Sequence, residues 1–162
     1  MWIMVNLLMC VVPPECVIFV GLPGSGKTTL YRERFGGTHG HISKDLWPNA
    51  SGREARQHEL IAQSLAAGRS VVIDNTNPTI AERAAIITTS RAHRAKVICY
   101  FFDVPTRAAV ARNAERSGRG KVPNVAIFTT AKGLERPTRE EGFDELFVVT
   151  IAPDRSLQIE PA

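Results

Sequence analysis

Aromatic side chains are scarce in this 162-residue chain, at 7%, and cysteine occurs only three times. An odd cysteine count without metal-type spacing argues against a disulfide scaffold; Cys16 and Cys99 sit in strand-like apolar runs and read as core thiols of a reducing, cytoplasmic compartment. Nothing around Cys10, Cys16 or Cys99 suggests an activated nucleophile. His39, His41, His58 and His93 also lack the spacing of a metal site and read as structural or surface residues. Internal repeats and low-complexity tracts are missing, which excludes a solenoid or an extended disordered segment. No apolar run is long enough to cross a bilayer. The opening MWIMVNLLMCVV has neither a basic head nor a small-residue cleavage site, and Pro13-Pro14 ends it early, so no secretory route and no membrane partner is expected. Residues 1–15 are therefore read as an apolar leader, packed on the domain as an extra strand or lying ahead of a true start at Met4 or Met9.

What is present suits one folded domain over residues 16–162, with 44% hydrophobic and 22% charged residues and no call for an obligate protein partner. The net charge of +4 favours an anionic partner, and Arg107, Arg112, Arg116, Arg119 and Lys121 cluster in one stretch opposed only by Glu115. Strand-like runs at 16–20, 41–43, 71–74, 97–102 and 146–151 alternate with helical stretches, the pattern of an α/β protein. Continuous β-branched runs suit strands covered on both faces, so the expected architecture is a three-layer sandwich around a mostly parallel, five-stranded sheet. Ser51 and Glu54 form a capping-box pattern ahead of a helix that Gly68 should end. Asn77 and Pro78 suit the cap and first turn of a helix from Thr79 to about Arg91, and Pro105 suits the start of the next.

The strongest chemical signal is Gly21-Leu22-Pro23-Gly24-Ser25-Gly26-Lys27-Thr28, which matches G-x-x-x-x-G-K-[ST] between a buried strand and a helix. Glycines let the backbone bend until its N–H groups converge on phosphate oxygens, and the helix start adds positive potential. Gly21, Pro23, Gly24, Ser25, Gly26, Lys27, Thr28 and Thr29 are thus the expected ATP-binding residues, with Lys27 on the β- and γ-phosphates and Thr28 a ligand of Mg²⁺. Asp45, after the second strand, falls at the carboxyl edge of the sheet, where open α/β folds place ligands. It is either a general base for an attacking hydroxyl or a loop aspartate capping a helix. Asp74 ends the third strand and is either an acid holding Mg²⁺, directly or through water, or a turn acceptor supporting its neighbours.

Five segments, GLPGSGKTT, SKD, GRSVVIDNTNPT, RNAERSGRGKVP and ERPTREEGFDEL, give the chain a further resemblance over about Cys16 to Ile151. In these it is similar to the polynucleotide 5′-hydroxyl kinase domains of phage polynucleotide kinase and of eukaryotic polynucleotide kinase/phosphatase, within the P-loop kinases. The resemblance implies a helical lid over about residues 105–121, Asp45 as general base, and Arg112 and Arg116 as catalytic lid arginines that also contact ATP. It implies as substrate a nucleic acid with a 5′-hydroxyl end, DNA or RNA. A guanidinium fork on the transferring phosphoryl group makes chemical sense of the two arginines.

Departures from the family pattern are also legible. Pro48 stands where the phage enzyme has an arginine that grips the acceptor's phosphate, leaving Arg53 and Arg56 as the nearest substitutes. Trp47 is either an acceptor-stacking ring or a core residue. No D-x-D-G-T signature occurs in these residues, so no 3′-phosphatase activity is expected of them. Two other readings keep the loop but change the role: a kinase of a small metabolite, nucleoside or nucleotide-sugar, or a nucleotide-binding regulator with little turnover.

Overall fold

The computed structural model describes residues 11–162; the expectations for residues 1–10, the leader and Cys10 among them, lie outside the described residues. Apolar β-branched runs form strands that hydrogen-bond in the order β2-β3-β1-β4-β5-β6. These are β1 (Glu15–Gly21), β2 (Gly40–Ile42), β3 (Val71–Ile73), β4 (Lys96–Phe102), β5 (Glu145–Ile151) and β6 (Leu157–Pro161). The first five run parallel, and β6 returns antiparallel along β5. Five strands were expected, and the sixth was missed. Its LQIEP is short and half polar and ends in a proline that an edge strand tolerates, after a turn in which Asp154 Oδ1 accepts from Ser156 N–H at 3.0 Å.

Both faces of the sheet are covered. Along β1, Cys16, Ile18 and Val20 pack with Ile61, Leu65, Ile86 and Phe143 on one side, while Val17 and Phe19 pack with Leu30, Phe35 and Tyr100 on the other. This two-sided burial explains why the strands read as continuous apolar runs. Cys16 and Cys99 are buried thiols, and burial pushes Cys16 up to about 12 and Cys99 upward too, so neither is a nucleophile.

The helices are α1 (Lys27–Leu30), continued by a wider turn over Tyr31–Phe35, then α2 (Arg53–Ala66), α3 (Ile80–Ala92), α4 (Thr106–Ala114) and α5 (Asn124–Gly133). Two expected helix starts are corrected. The N-cap of α2 is Gly52, with no side-chain cap from Ser51, and Glu54 turns instead to Lys44 and His58. α3 is capped by Thr79 in a reciprocal box with Glu82, which releases Asn77 for another task. Gly68, at φ 73°, ends α2 as expected, and Pro105 caps α4. Among the described residues no helix is long and apolar enough to cross a membrane.

Candidate active site

The loop between β1 and α1 is held by its neighbours as much as by its glycines. Gly24 has φ 81°, and a Cβ there would lie 2.7 Å from the Ala109 carbonyl oxygen, so only glycine lets α4 approach the loop this closely. Lys27 Nζ donates to the carbonyls of Gly21 and Leu22 at 3.0 and 2.7 Å. Burial pushes its ammonium down to about 8, with Asp74 and Asp45 opposing the shift and Arg116 adding to it. Ser25 Oγ is buried and has no hydrogen-bond partner among the described residues.

The segment after β3 ties the site together residue by residue. Asp74 Oδ2 accepts from the Thr28 hydroxyl at 2.8 Å. Asn75 Oδ1 accepts from Lys44 N–H at 2.9 Å, and its amide donates at 2.6 Å to Gln57, which is fully buried. Thr76 O accepts from Gly21 N–H at 3.1 Å, and Asn77, at φ 42°, donates its amide to Phe19 O at 2.7 Å. Four consecutive side or main chains thus reach the phosphate loop, the Asp45 turn and β1. Asp74 is 4% exposed, so a carboxylate there needs such donors.

Asp45 lies in a short 3-10 turn, Lys44–Leu46, whose N-cap is Ser43; Ser43 Oγ accepts from Asp45 N–H at 3.3 Å. The capping task therefore falls to Ser43 and not to the Asp45 carboxylate. Trp47 is half-buried and packs against the core, and the Arg56 guanidinium stands 4.6 Å above its ring.

A cleft of about 810 Å³ brings the pieces together. Pro23, Gly24, Ser25, Lys27, Thr28 and Thr29 line it together with Asp45, Asp74, Arg112 and Arg116. Gly21 and Gly26 shape the loop without lining the cleft, and Arg56, Arg107 and Lys121 are also not among its lining residues. Arg112 Nε donates to Gly24 O at 3.0 Å, and Arg116 donates to Gly120 O at 3.2 Å. Asn113, between them, is buried and exchanges two hydrogen bonds with the Val122 backbone at 2.7 and 3.0 Å, which folds the 118–122 segment back on α4.

Several contributors escaped the sequence reading. Arg32 lines the cleft from the turn after α1, where spacing alone gave no signal. Glu115 and Arg155 line it as an ion pair at 2.6 Å, the latter from the β5–β6 hairpin. His41, read as structural or surface, donates to Asp74 Oδ2 at 2.8 Å; its alternation against Ile42 on β2 was the available clue. Among the described residues, no group of three or more His, Cys, Asp or Glu side chains forms a metal cage.

A parallel sheet whose central strand feeds a glycine loop ending in Lys27 and Thr28, with an acid at the tip of the adjacent strand, defines a P-loop α/β fold. The chain belongs to the AAA domain family, which it matches over residues 16–137. It is 30% identical over 134 residues to the bifunctional polynucleotide phosphatase/kinase of Schizosaccharomyces pombe, covering 80% of this chain and 32% of that protein. A relative from Acanthamoeba polyphaga mimivirus with a provisional form of the same name is 29% identical over 154 residues, 91% of this chain and 36% of its own length. The chain thus spans about a third of the length of these curated relatives. Among solved structures, Chaetomium thermophilum Kti12 in complex with ADP-AlF3 superposes with a TM-score of 0.68 at 20% identity, over 84% of this chain and 89% of that one. The Mycobacterium tuberculosis APS kinase does so with 0.61 at 18%, over 89% and 91%. At these identities the likeness is one of fold.

Proposed function

We propose that the chain is an ATP-dependent polynucleotide 5′-hydroxyl kinase. The observation that carries the reading is the Asp45 carboxylate, relieved of capping by Ser43 and lining the same cleft as Lys27, Thr28 and Arg116. A carboxylate at the acceptor edge of a phosphate-binding cleft has a use in transfer and none in simple nucleotide retention. The likeness to two polynucleotide phosphatase/kinases over most of this chain supports the nucleic-acid acceptor.

In this reading the acceptor's 5′ O–H gives its proton to Asp45 as its oxygen bonds to the γ-phosphorus. The bond from that phosphorus to the β,γ-bridging oxygen breaks, and ADP leaves. Lys27 exchanges its two loop carbonyls for phosphate oxygens, and Ser25 Oγ, buried and unpartnered among the described residues, gains an acceptor. Residues 105–121 act as the lid that carries Arg112 and Arg116 to the phosphates of the single domain 16–162. Thr28 and Asp74 offer two hard oxygen donors 2.8 Å apart, a set that fits Mg²⁺ held largely by water and phosphate. When bound, that ion supplies positive charge to the β- and γ-phosphates. On the acceptor side Arg53 lines the cleft while Arg56 does not, and Arg119 and Asp45 also border a small adjoining pocket with Pro48 and Asn49.

Incubation with γ-labelled ATP and a 5′-hydroxyl oligonucleotide should label the oligonucleotide's 5′ end, and Lys27→Ala should abolish the labelling. Pro48, in place of a phosphate-gripping arginine, favours a second reading with a small acceptor. The two separate by competition: an unlabelled oligonucleotide suppresses transfer to a nucleoside in the first reading and leaves it untouched in the second.

A proton linkage follows from Lys27. Because burial holds its ammonium near 8, and phosphate oxygens would favour the charged form, nucleotide binding at pH 8.5 should take up about half a proton or more. Affinity should be greatest below pH 8 and fall as pH rises above it. Calorimetry in two buffers of different ionisation enthalpy reads the uptake directly; identical enthalpies would contradict it.

A further inference from the structure

Asp74 Oδ2 accepts two hydrogen bonds of equal length, from Thr28 Oγ1 and from His41 Nε2, both at 2.8 Å. A carboxylate only accepts, so the proton in the second contact is on Nε2. The imidazole is held in turn: the Tyr31 ring stacks on it with centroids 4.1 Å apart and planes 14° from parallel, and Tyr31 OH donates to His39 O at 3.0 Å. The backbone around the acid is fixed as well, since Asp74 N–H donates to Ile42 O at 2.8 Å, one residue along β2 from His41. This leaves Oδ1 with no hydrogen bond among the described residues, in a side chain that lines the cleft.

We infer that His41 is a positioning residue for the cation site of Thr28 and Asp74. One donor alone would leave the carboxylate free to turn about its last torsion; two donors on one oxygen fix its plane and keep Oδ1 available. Tyr31 gives the imidazole its own orientation, so the device runs from Tyr31 through His41 and Asp74 to Thr28. Outer-shell donors of this type typically account for roughly 10- to 100-fold in metal affinity. The inference rests on the proposed role of Thr28 and Asp74 toward Mg²⁺.

The test is Mg²⁺ titration of a fluorescent, nonhydrolysable ATP analogue bound to the full chain, with the same binding measured in EDTA. His41→Phe keeps a ring for Tyr31 to stack on and removes the donor; His41→Gln keeps a donor near the Nε2 position. The phenylalanine variant should need roughly tenfold more Mg²⁺ or above for half-saturation, with affinity in EDTA unchanged, and the glutamine variant should recover most of the difference. A wild-type Mg²⁺ requirement in His41→Phe, an equal loss with and without Mg²⁺, or a glutamine variant no better than phenylalanine would overturn the role of His41. Thr28→Val and Asp74→Asn separate this from the underlying reading. If they leave the Mg²⁺ requirement unchanged, the cation site itself is wrong; if they raise it and His41→Phe does not, only the positioning role falls.

Discussion

Asp45→Asn is expected to lower phosphoryl transfer by roughly 100- to 10,000-fold while leaving the affinity for an ATP analogue within about twofold. The asparagine has the same shape, and the turn that carries it is capped through the Asp45 backbone N–H by Ser43, so the substitution leaves that contact in place. Asp45 is exposed at the cleft, and no packing depends on it. What is lost is the acceptor for the proton of the attacking hydroxyl. Single-turnover transfer alongside equilibrium binding separates the effects. Equal losses of rate and affinity would instead make Asp45 a support of the phosphate loop, and unchanged transfer would remove it from the chemistry.

Arg83→Ala should destabilise the domain by about 3–5 kcal/mol, enough to consume a large part of an ordinary folding free energy. Arg83 is fully buried, and its Nε and Nη2 meet the two oxygens of Glu141 at 2.7 and 2.8 Å. Its Nη1 donates to the carbonyls of Asn77 and Pro78 at 3.0 and 3.1 Å. Truncation would therefore strand a buried carboxylate and two carbonyls at once. Arg83→Met with Glu141→Leu should recover much of the loss, because the pair's attraction is set against the cost of desolvating both charges. Recovery should stay incomplete, since the Asn77 and Pro78 carbonyls remain without their donor. Urea melts of the single and double variants check this, and a single-variant loss below about 1 kcal/mol would contradict it.

That ion pair also shows where sequence reading stops. The strand runs, the glycine loop and the position of Asp45 were legible because each rests on local pattern: β-branched continuity, glycine spacing, an acid at a strand's end. The ERPTREEGF segment offered no chemistry of its own, and its purpose emerges only when Thr138 and Glu141 are seen closing a 3-10 turn that presents Glu141 to Arg83, 58 residues earlier. Likewise DNTN could be read as a turn, but the separate destinations of Asp74, Asn75, Thr76 and Asn77 are long-range and leave no periodic trace. The capping box at Ser51 failed for the same reason, since Glu54 had a closer cation in Lys44. His41 was overlooked because its one local clue, alternation against Ile42 in a three-residue edge strand, does not say that its ring meets Asp74, 33 residues later. Arg112 and Arg116 came from a resemblance; both line the cleft, Arg112 from the last turn of α4 and Arg116 from the segment just beyond it.

The most direct test is the structure of the chain with a nonreactive ATP analogue, Mg²⁺ and a 5′-hydroxyl oligonucleotide. The account predicts an Asp45 carboxylate oxygen within roughly 2.6–3.2 Å of the 5′ oxygen, with that oxygen in line with the γ-phosphorus. A terminal hydroxyl bound elsewhere, with Asp45 facing solvent while the nucleotide occupies the loop, would contradict it.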